Sequence, residues 1–142
     1  MRALLDVNVL IALLDAAHTQ HAAAHAWLRR DIRHGWASCP ITQNGVVRIM
    51  SQPAYPQAVS PLKAAGLLRA ATATKHHAFW PDDISLLDDQ HVDLQRVHGP
   101  RQLTDAYLLA LAVAHGGRFV TFDAGLARSA VPRAKAQHVL IL

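Results

Sequence analysis

The sequence predicts an α/β fold, a central and mainly parallel β-sheet flanked by helices. Three observations carry that expectation. Short apolar runs recur at Arg2–Leu5, Trp36–Ile41, Arg118–Phe122 and His138–Leu142, and read as buried strands. Segments with helical spacing separate them. The chain has 142 residues, 51% hydrophobic and 17% charged, which is one domain's length and an ordinary globular balance. It contains no repeat, linker or low-complexity stretch, so a single domain over residues 1–142 is expected.

The elements follow in order. Arg2–Leu5 is a strand that stops at Asp6. Val7–Leu14 is a helix with Val9, Leu10, Leu13 and Leu14 at helical spacing, and His18–Arg30 is a second. Trp36–Ile41 is the next strand, and Thr42–Met50 the third helix with Thr42 as its cap. Gln52–Pro56 is a proline-punctuated loop. Ser60-Pro61 opens a helix, with serine as the cap and proline in the first turn, running to about Thr74. Ala78–Trp80 is a short strand. Ile84–Asp88 and Val92–Val97 read as short helices, and Gly99-Pro100 as a break. Thr104–His115 is the strongest helix, capped by Thr104 and ended by Gly116-Gly117. Arg118–Phe122 is a strand ending at Asp123, Gly125–Ser129 a turn or short helix, and His138–Leu142 the last strand.

Composition excludes several chemistries. Eleven Arg and three Lys stand against ten acids, a net charge of +4, and all ten acids are aspartate. Without glutamate there is no H-E-x-x-H zinc protease and no EF-hand. The single cysteine, Cys39, cannot form an intramolecular disulfide or a cysteine-rich zinc site. No apolar run approaches the ~18–20 residues that span a bilayer, and Asp6 interrupts the apolar N-terminus, so a cytoplasmic protein is expected. Phosphate-loop glycine motifs are absent. The basic balance favours a polyanionic partner.

Carboxylate chemistry must therefore come from aspartate. Parallel sheets bind ligands at the carboxyl ends of their strands. Asp6 and Asp123 each end a predicted strand, and Asp105 sits at the start of the strongest helix, which points to the same rim. Three like charges brought together call for a cation or a proton. Hard oxygen donors suit Mg²⁺ or Mn²⁺, the ions of phosphodiester cleavage. Each aspartate alone also reads as a helix cap or turn residue.

Other residues read more plainly. His18, His21 and His25 share one helix face, solvated or partly packed. Arg29-Arg30-Asp31-Ile32-Arg33 is a basic helix end. Trp27, Trp36 and Trp80 belong to the core or an interface, and Cys39 reads as a small buried residue.

Leu4-Leu5-Asp6-Val7-Asn8, Gln102 to Ala110 (QLTDAYLLA) and Val120-Thr121-Phe122-Asp123 resemble the PIN-domain family, in particular its VapC-type toxins of bacterial toxin–antitoxin pairs. The likeness runs nearly the full length, and Ile41 to Ile49 (ITQNGVVRI) looks like one subgroup of these toxins. The resemblance implies a three-layer α/β/α, Rossmann-like fold. It implies a Mg²⁺- or Mn²⁺-dependent endoribonuclease that acts on RNA, forms a homodimer and binds a cognate antitoxin. Asp6, Asp105 and Asp123 would hold the metal, with Asn8 and Thr121 orienting ligands or water around it. Many relatives carry a glutamate after the second strand. Here Gln43 and Asn44 occupy that region, so an uncharged amide replaces an acid, with Asp82 and Asp83 as the acids available to compensate. Arg48 and Arg101 are the candidates for holding the RNA backbone. A catalytically inactive RNA- or antitoxin-binding module is the alternative. A phosphatase with Asp6 as nucleophile is a third reading, in which Asn8 breaks the D-x-D pattern such enzymes use.

Overall fold

The computed structural model describes residues 1–142. The strands are β1 (Ala3–Leu5), β2 (Trp36–Ser38), β3 (His77–Phe79), β4 (Arg118–Thr121) and β5 (Val139–Ile141). The helices are α1 (Val7–Leu14), α2 (His21–Asp31), α3 (Pro40–Met50), α4 (Pro61–Thr72) and α5 (Leu103–Ala114). The five strands form one sheet in the order β3-β2-β1-β4-β5, and every pairing is parallel. The expected α/β architecture is the one found.

The sheet separates two cores. Side chains alternate across it, as the pleat requires. Ala3, Leu5, Trp36 and Val120 pack with Val9, Leu10, Trp27, Val46 and Leu68 of α1 to α4. Leu4, Ala37 and Phe119 face the other way, onto α5. These are the three layers of an α/β/α fold. Every residue of α5 from Ala106 to Ala112 is buried, because the segment after β3 covers its outer side through Val92, Ile84 and Leu86. A helix apolar on all sides is stable only in such a sandwich.

The three tryptophans and Cys39 are buried, as expected. His21 and His25 are packed for a specific reason. The Nδ1 of His21 lies 2.7 Å from the Ala12 carbonyl oxygen and the Nε2 of His25 lies 3.2 Å from that of Leu13. They occupy carbonyls that the end of α1 leaves without a helical partner. α5 ends as its two glycines require. Gly116 takes φ +67°, its amide donates to Val113 and that of Gly117 to Ala112, a Schellman closure.

Several boundaries differ from expectation. Ile41 belongs to α3, not to β2. The helix starts at Pro40 with Cys39 in the cap position. Thr42 is not the cap but the third helical residue, whose hydroxyl reaches back to accept from the Cys39 amide at 2.9 Å, as in a capping box. Proline preset for the first turn moves the start forward. Thr104 is likewise not a cap. A 3₁₀ turn at Pro100–Gln102 runs directly into α5 at Leu103, and Gln102 takes the cap place without a side-chain bond. α2 starts at His21 and ends at Asp31, because His18 to Gln20 form a turn. β3 begins one residue earlier than expected, at His77. Ile84–Asp88 forms no helix. Ser85 and Asp88 side chains accept from the amides two residues on, holding turns instead. Val92–Val97 contains only a 3₁₀ turn, Leu94–Arg96, capped by Asp93.

Gly45 marks where α3 and α1 approach most closely. It is buried within α3, and a Cβ there would lie 2.7 Å from the Val7 Cγ2. Gly45→Ala gains about 1 kcal/mol of helix propensity but drives a methyl into Val7, an overpacking cost of about 1–3 kcal/mol. A net loss of about 1 kcal/mol is expected, seen as a lower urea midpoint at unchanged slope. An unchanged or raised midpoint would show that Val7 yields freely.

Candidate active site

The sheet order fixes where a site can form. The chain winds from β1 outward to β3, then crosses back to lay β4 beside β1 and β5 beyond it. The direction of winding reverses between β1 and β4. In open parallel sheets the crevice beyond the strand ends at such a reversal is the ligand site. Asp6 follows β1 and Asp123 follows β4, and these strands are paired neighbours. α5 leads into the start of β4, so its first turn, with Asp105, lies at the same end of the sheet.

Asp6 is 8% exposed and doubly bonded. Its Oδ1 accepts from the Val7 amide at 2.7 Å, capping α1. Its Oδ2 accepts from the Thr121 hydroxyl at 2.7 Å. The same hydroxyl oxygen accepts from the Asp123 amide at 3.1 Å, so Thr121, itself fully buried, ties the ends of β1 and β4 together. Asp123 is exposed, and its Oδ1 accepts from the Gly125 amide at 2.7 Å.

The electrostatics join the three acids. Burial raises the Asp6 carboxyl above the usual carboxylate range, the hydrogen bonds from Thr121 and Val7 oppose it, and the Asp123 charge adds to the rise. Half-buried Asp105 is pushed up to about 7. Burial is the largest cause, followed by the charges of Asp6 and Asp123 and a hydrogen bond with the Asp123 carboxyl. One acid in the group is therefore half-protonated near neutrality. A divalent cation would relieve the repulsion that the proton now relieves, and three carboxylates form an all-oxygen donor set suited to Mg²⁺ or Mn²⁺. The donor chemistry fits such an ion. The ligating atoms do not converge into a closed cage, however, and no group of three or more histidine, cysteine or acidic side chains in the chain does so.

The remaining candidates are dispersed around this centre. Asn8 is exposed in the first turn of α1. Asn44 and Arg48 line a crevice of about 450 Å³ with Val7 and Thr104, the chain neighbours of Asp6 and Asp105. Gln43 faces elsewhere: its amide nitrogen donates to the Ser38 hydroxyl at 3.0 Å, on the side of α4. Arg101 is exposed in the 3₁₀ turn before α5. The Asp82 Oδ2 accepts from the Ile41 amide at the start of α3, at 3.2 Å, and Asp83 pairs with His115 at 2.9 Å. Neither is among the charges that act on Asp105. Sequence reasoning misses the role of Asp82 at a helix start, although its place two residues after Trp80, at the end of a strand, is a usable signal. It also misses the partner of Asp31, which pairs with Arg118 of β4 at 3.1 Å.

A doubly wound α/β protein with acids gathered at its switch point is the class that fold and site define. The PIN domain profile matches residues 3–132. Ribonuclease VapC44 of Mycobacterium tuberculosis is 58% identical over 142 residues, the whole of both chains. Ribonuclease VapC39 of the same organism is 48% identical over 131 residues, 92% of this chain and 94% of that one. Among solved structures, VapBC2 from Rickettsia felis, bound to a DNA fragment from its promoter, superposes with a TM-score of 0.69 at 10% identity, covering 100% of this chain and 99% of that one. Mycobacterium tuberculosis VapC20, described as a sarcin-ricin loop cleaving toxin, gives 0.62 at 13% identity over 94% and 98%. The chain belongs to the PIN-domain family, in its VapC-type branch of toxin–antitoxin ribonucleases. No helix of the chain is long and apolar enough to cross a membrane.

Proposed function

We propose that this protein is a Mg²⁺- or Mn²⁺-dependent endoribonuclease, the toxin of a type II toxin–antitoxin pair, with Asp6, Asp105 and Asp123 holding the cation. The observation that carries the reading is the placing of Asp6 and Asp123 at the ends of the paired strands β1 and β4, tied through the Thr121 hydroxyl, with Asp105 in the first turn of the helix that leads to the same end of the sheet. The VapC ribonuclease relatives support the reaction class, and the VapBC2 complex supports an antitoxin as partner. A homodimer is part of the same reading. When bound, the ion supplies Lewis acidity and lowers the pKa of water. Thr121 holds Asp6 in one orientation. Arg48, exposed beside Thr104, offers a cation to the RNA phosphate. With the amides of Gln43 and Asn44 where many relatives carry an acid, the negative charge offered to the cation comes from aspartate alone.

The test incubates purified, antitoxin-free protein with structured RNA in Mg²⁺, in Mn²⁺ and in EDTA. Cleavage in the metals and none in EDTA is expected. RNA binding without cleavage, and no metal-dependent thermal shift, would instead favour the inactive binding module, a reading that the uncharged Asn44 and the open arrangement of carboxylate oxygens would then explain.

Thr121→Val tests the orienting role. The shape is nearly kept, but Asp6 loses a donor and the Asp123 amide an acceptor. Partners behind metal ligands are worth about 10–100-fold in affinity or activity. Mn²⁺ affinity by calorimetry is expected to fall by about that factor. Affinity within twofold of the parent would remove Thr121 from the site.

A further inference from the structure

Two crevices flank α3, and they meet. One, of about 450 Å³, opens beside Val7 and Thr104 and passes Arg48. The other, of about 560 Å³, lies between α3 and α4 and reaches Arg69 and Thr72. Pro40 and Asn44 wall both. Together they make one track that starts at Val7 and Thr104, the chain neighbours of Asp6 and Asp105, and leads away across α3.

The chemistry of the track is that of a polyanion site. Arg48 and Arg69 are exposed, and all five ion pairs of the chain lie elsewhere. Their carbonyls accept from Ser51 and Thr72, while both guanidinium groups remain free of carboxylates. No acidic residue lines the α3–α4 part. Asp82 is the only acid on the other part, and one of its oxygens is taken by the Ile41 amide. Gln43 is fixed in the α3–α4 part. Its nitrogen donates to Ser38, whose hydroxyl oxygen lies 2.8 Å from the His77 Nε2. The Gln43 carbonyl oxygen and the free Asn44 amide thus remain for hydrogen bonds, above an apolar floor that includes Leu68. Cations free to meet backbone phosphates, beside amides free to meet base edges, are what a single-stranded nucleic acid uses. An acidic peptide needs only the cations.

We infer that the α3–α4 groove is a second nucleotide subsite for the RNA strand cleaved at the carboxylates, with Arg69 on a backbone phosphate and Gln43 and Asn44 on a base edge. The inference rests on the ribonuclease reading for its substrate, but its test does not require cleavage.

Binding of a fluorescein-labelled single-stranded RNA of randomised sequence is measured by anisotropy in EDTA over a series of salt concentrations. Arg69→Gln, at an exposed position where the fold is preserved, is expected to raise Kd about tenfold, the scale of one charge-assisted contact. The slope of log Kd against log salt should fall by about 0.7, the value for one single-strand phosphate. Arg30→Gln, at the solvated end of α2, should leave both unchanged. Equal effects of the two variants would show diffuse charge attraction and overturn the subsite. No effect of Arg69→Gln would overturn it as well. Polyglutamate that displaces the RNA at equal charge, in an Arg69-dependent way, would reassign the groove to an acidic peptide. If binding depends on Arg69 yet Mg²⁺ and Mn²⁺ give no cleavage, the subsite stands and the ribonuclease reading falls. If cleavage occurs and its KM is unaltered by Arg69→Gln, the ribonuclease reading stands and the subsite falls.

Discussion

Asp105→Asn is expected to make the metal-free protein more heat-stable above pH 7 while abolishing metal-dependent RNA cleavage. The two effects have one cause. Asp105 is an acid whose folded-state pKa is raised to about 7, whereas an unfolded aspartate titrates near pH 4. Between those values the folded state holds more protons than the unfolded one, so stability falls as pH rises through the window and levels off above it. The asparagine amide is neutral throughout and lacks this slope. Thermal midpoints of the parent and of Asp105→Asn should coincide near pH 4 and separate toward pH 8, with the variant higher. Mg²⁺ or Mn²⁺ should raise the parent's midpoint by mass action and leave the variant's nearly unmoved. Cleavage should drop at least about 100-fold, since even groups behind a metal ligand cost up to that factor. A variant that is less stable at high pH, or that cleaves as well as the parent, would contradict the assignment. A stabilised variant without function is the pattern of a site that holds unfavourable charge for its task.

Phe119→Ala is expected to have the largest effect on folding. Phe119 is fully buried on β4, between β1 and β5, with Leu4 and Val139 as its register partners, and it faces α5. Strands on both sides keep the sheet from closing over the space left behind. Removing a phenylalanine from such a place costs about 3–5 kcal/mol, against a total stability of about 5–15 kcal/mol for ordinary proteins. Phe79→Ala is the natural comparison. Phe79 stands on edge strand β3 and is 53% exposed, so a change within about 0.5 kcal/mol is expected. Urea denaturation of the pair measures both. Equal losses would mean that the α5 core is looser than its burial implies. Since Thr121 and Asp123 follow Phe119 on the same strand and its exit, the alanine variant should also lose metal response in proportion to the fraction unfolded.

Much of the architecture is legible in the sequence because it depends on local signals. An apolar run ending in aspartate marks both β1 and β4, and the Gly116-Gly117 closure of α5 needs only the chain's own carbonyls. Adjacency is what local signals do not specify. Asp6 and Asp123 meet because β4 is laid beside β1, a choice made by side-chain packing on both faces of the sheet. The start of α3 is hidden because cysteine is an unusual cap, although Cys39-Pro40 carries the same proline signal that locates α4. The places of Gln43 and Asn44 are not legible either. Neighbours in sequence on one helix, they point about 100° apart, so that Asn44 borders both crevices while Gln43 turns toward Ser38 and α4. The Asp31–Arg118 pair joins residues 87 apart and leaves no local trace. The same holds for the hydrogen bond from Tyr55 to Asp15, 40 residues apart.

The bond between Thr121 and Asp6 spans 115 residues, and that separation has a consequence for timing. During synthesis the first helices and strands leave the ribosome able to pack on one another, while Asp6 has no hydroxyl to orient it and no neighbouring β4 at its side. The crevice comes into being only after β4 has emerged and slotted between β1 and the future place of β5. A ribosome that stalls or terminates before β4 therefore leaves a chain with one carboxylate of three, or with two and without the strand that orients them. Any activity seated there would be withheld from copies that lack β4 and would appear only once that strand has paired with β1.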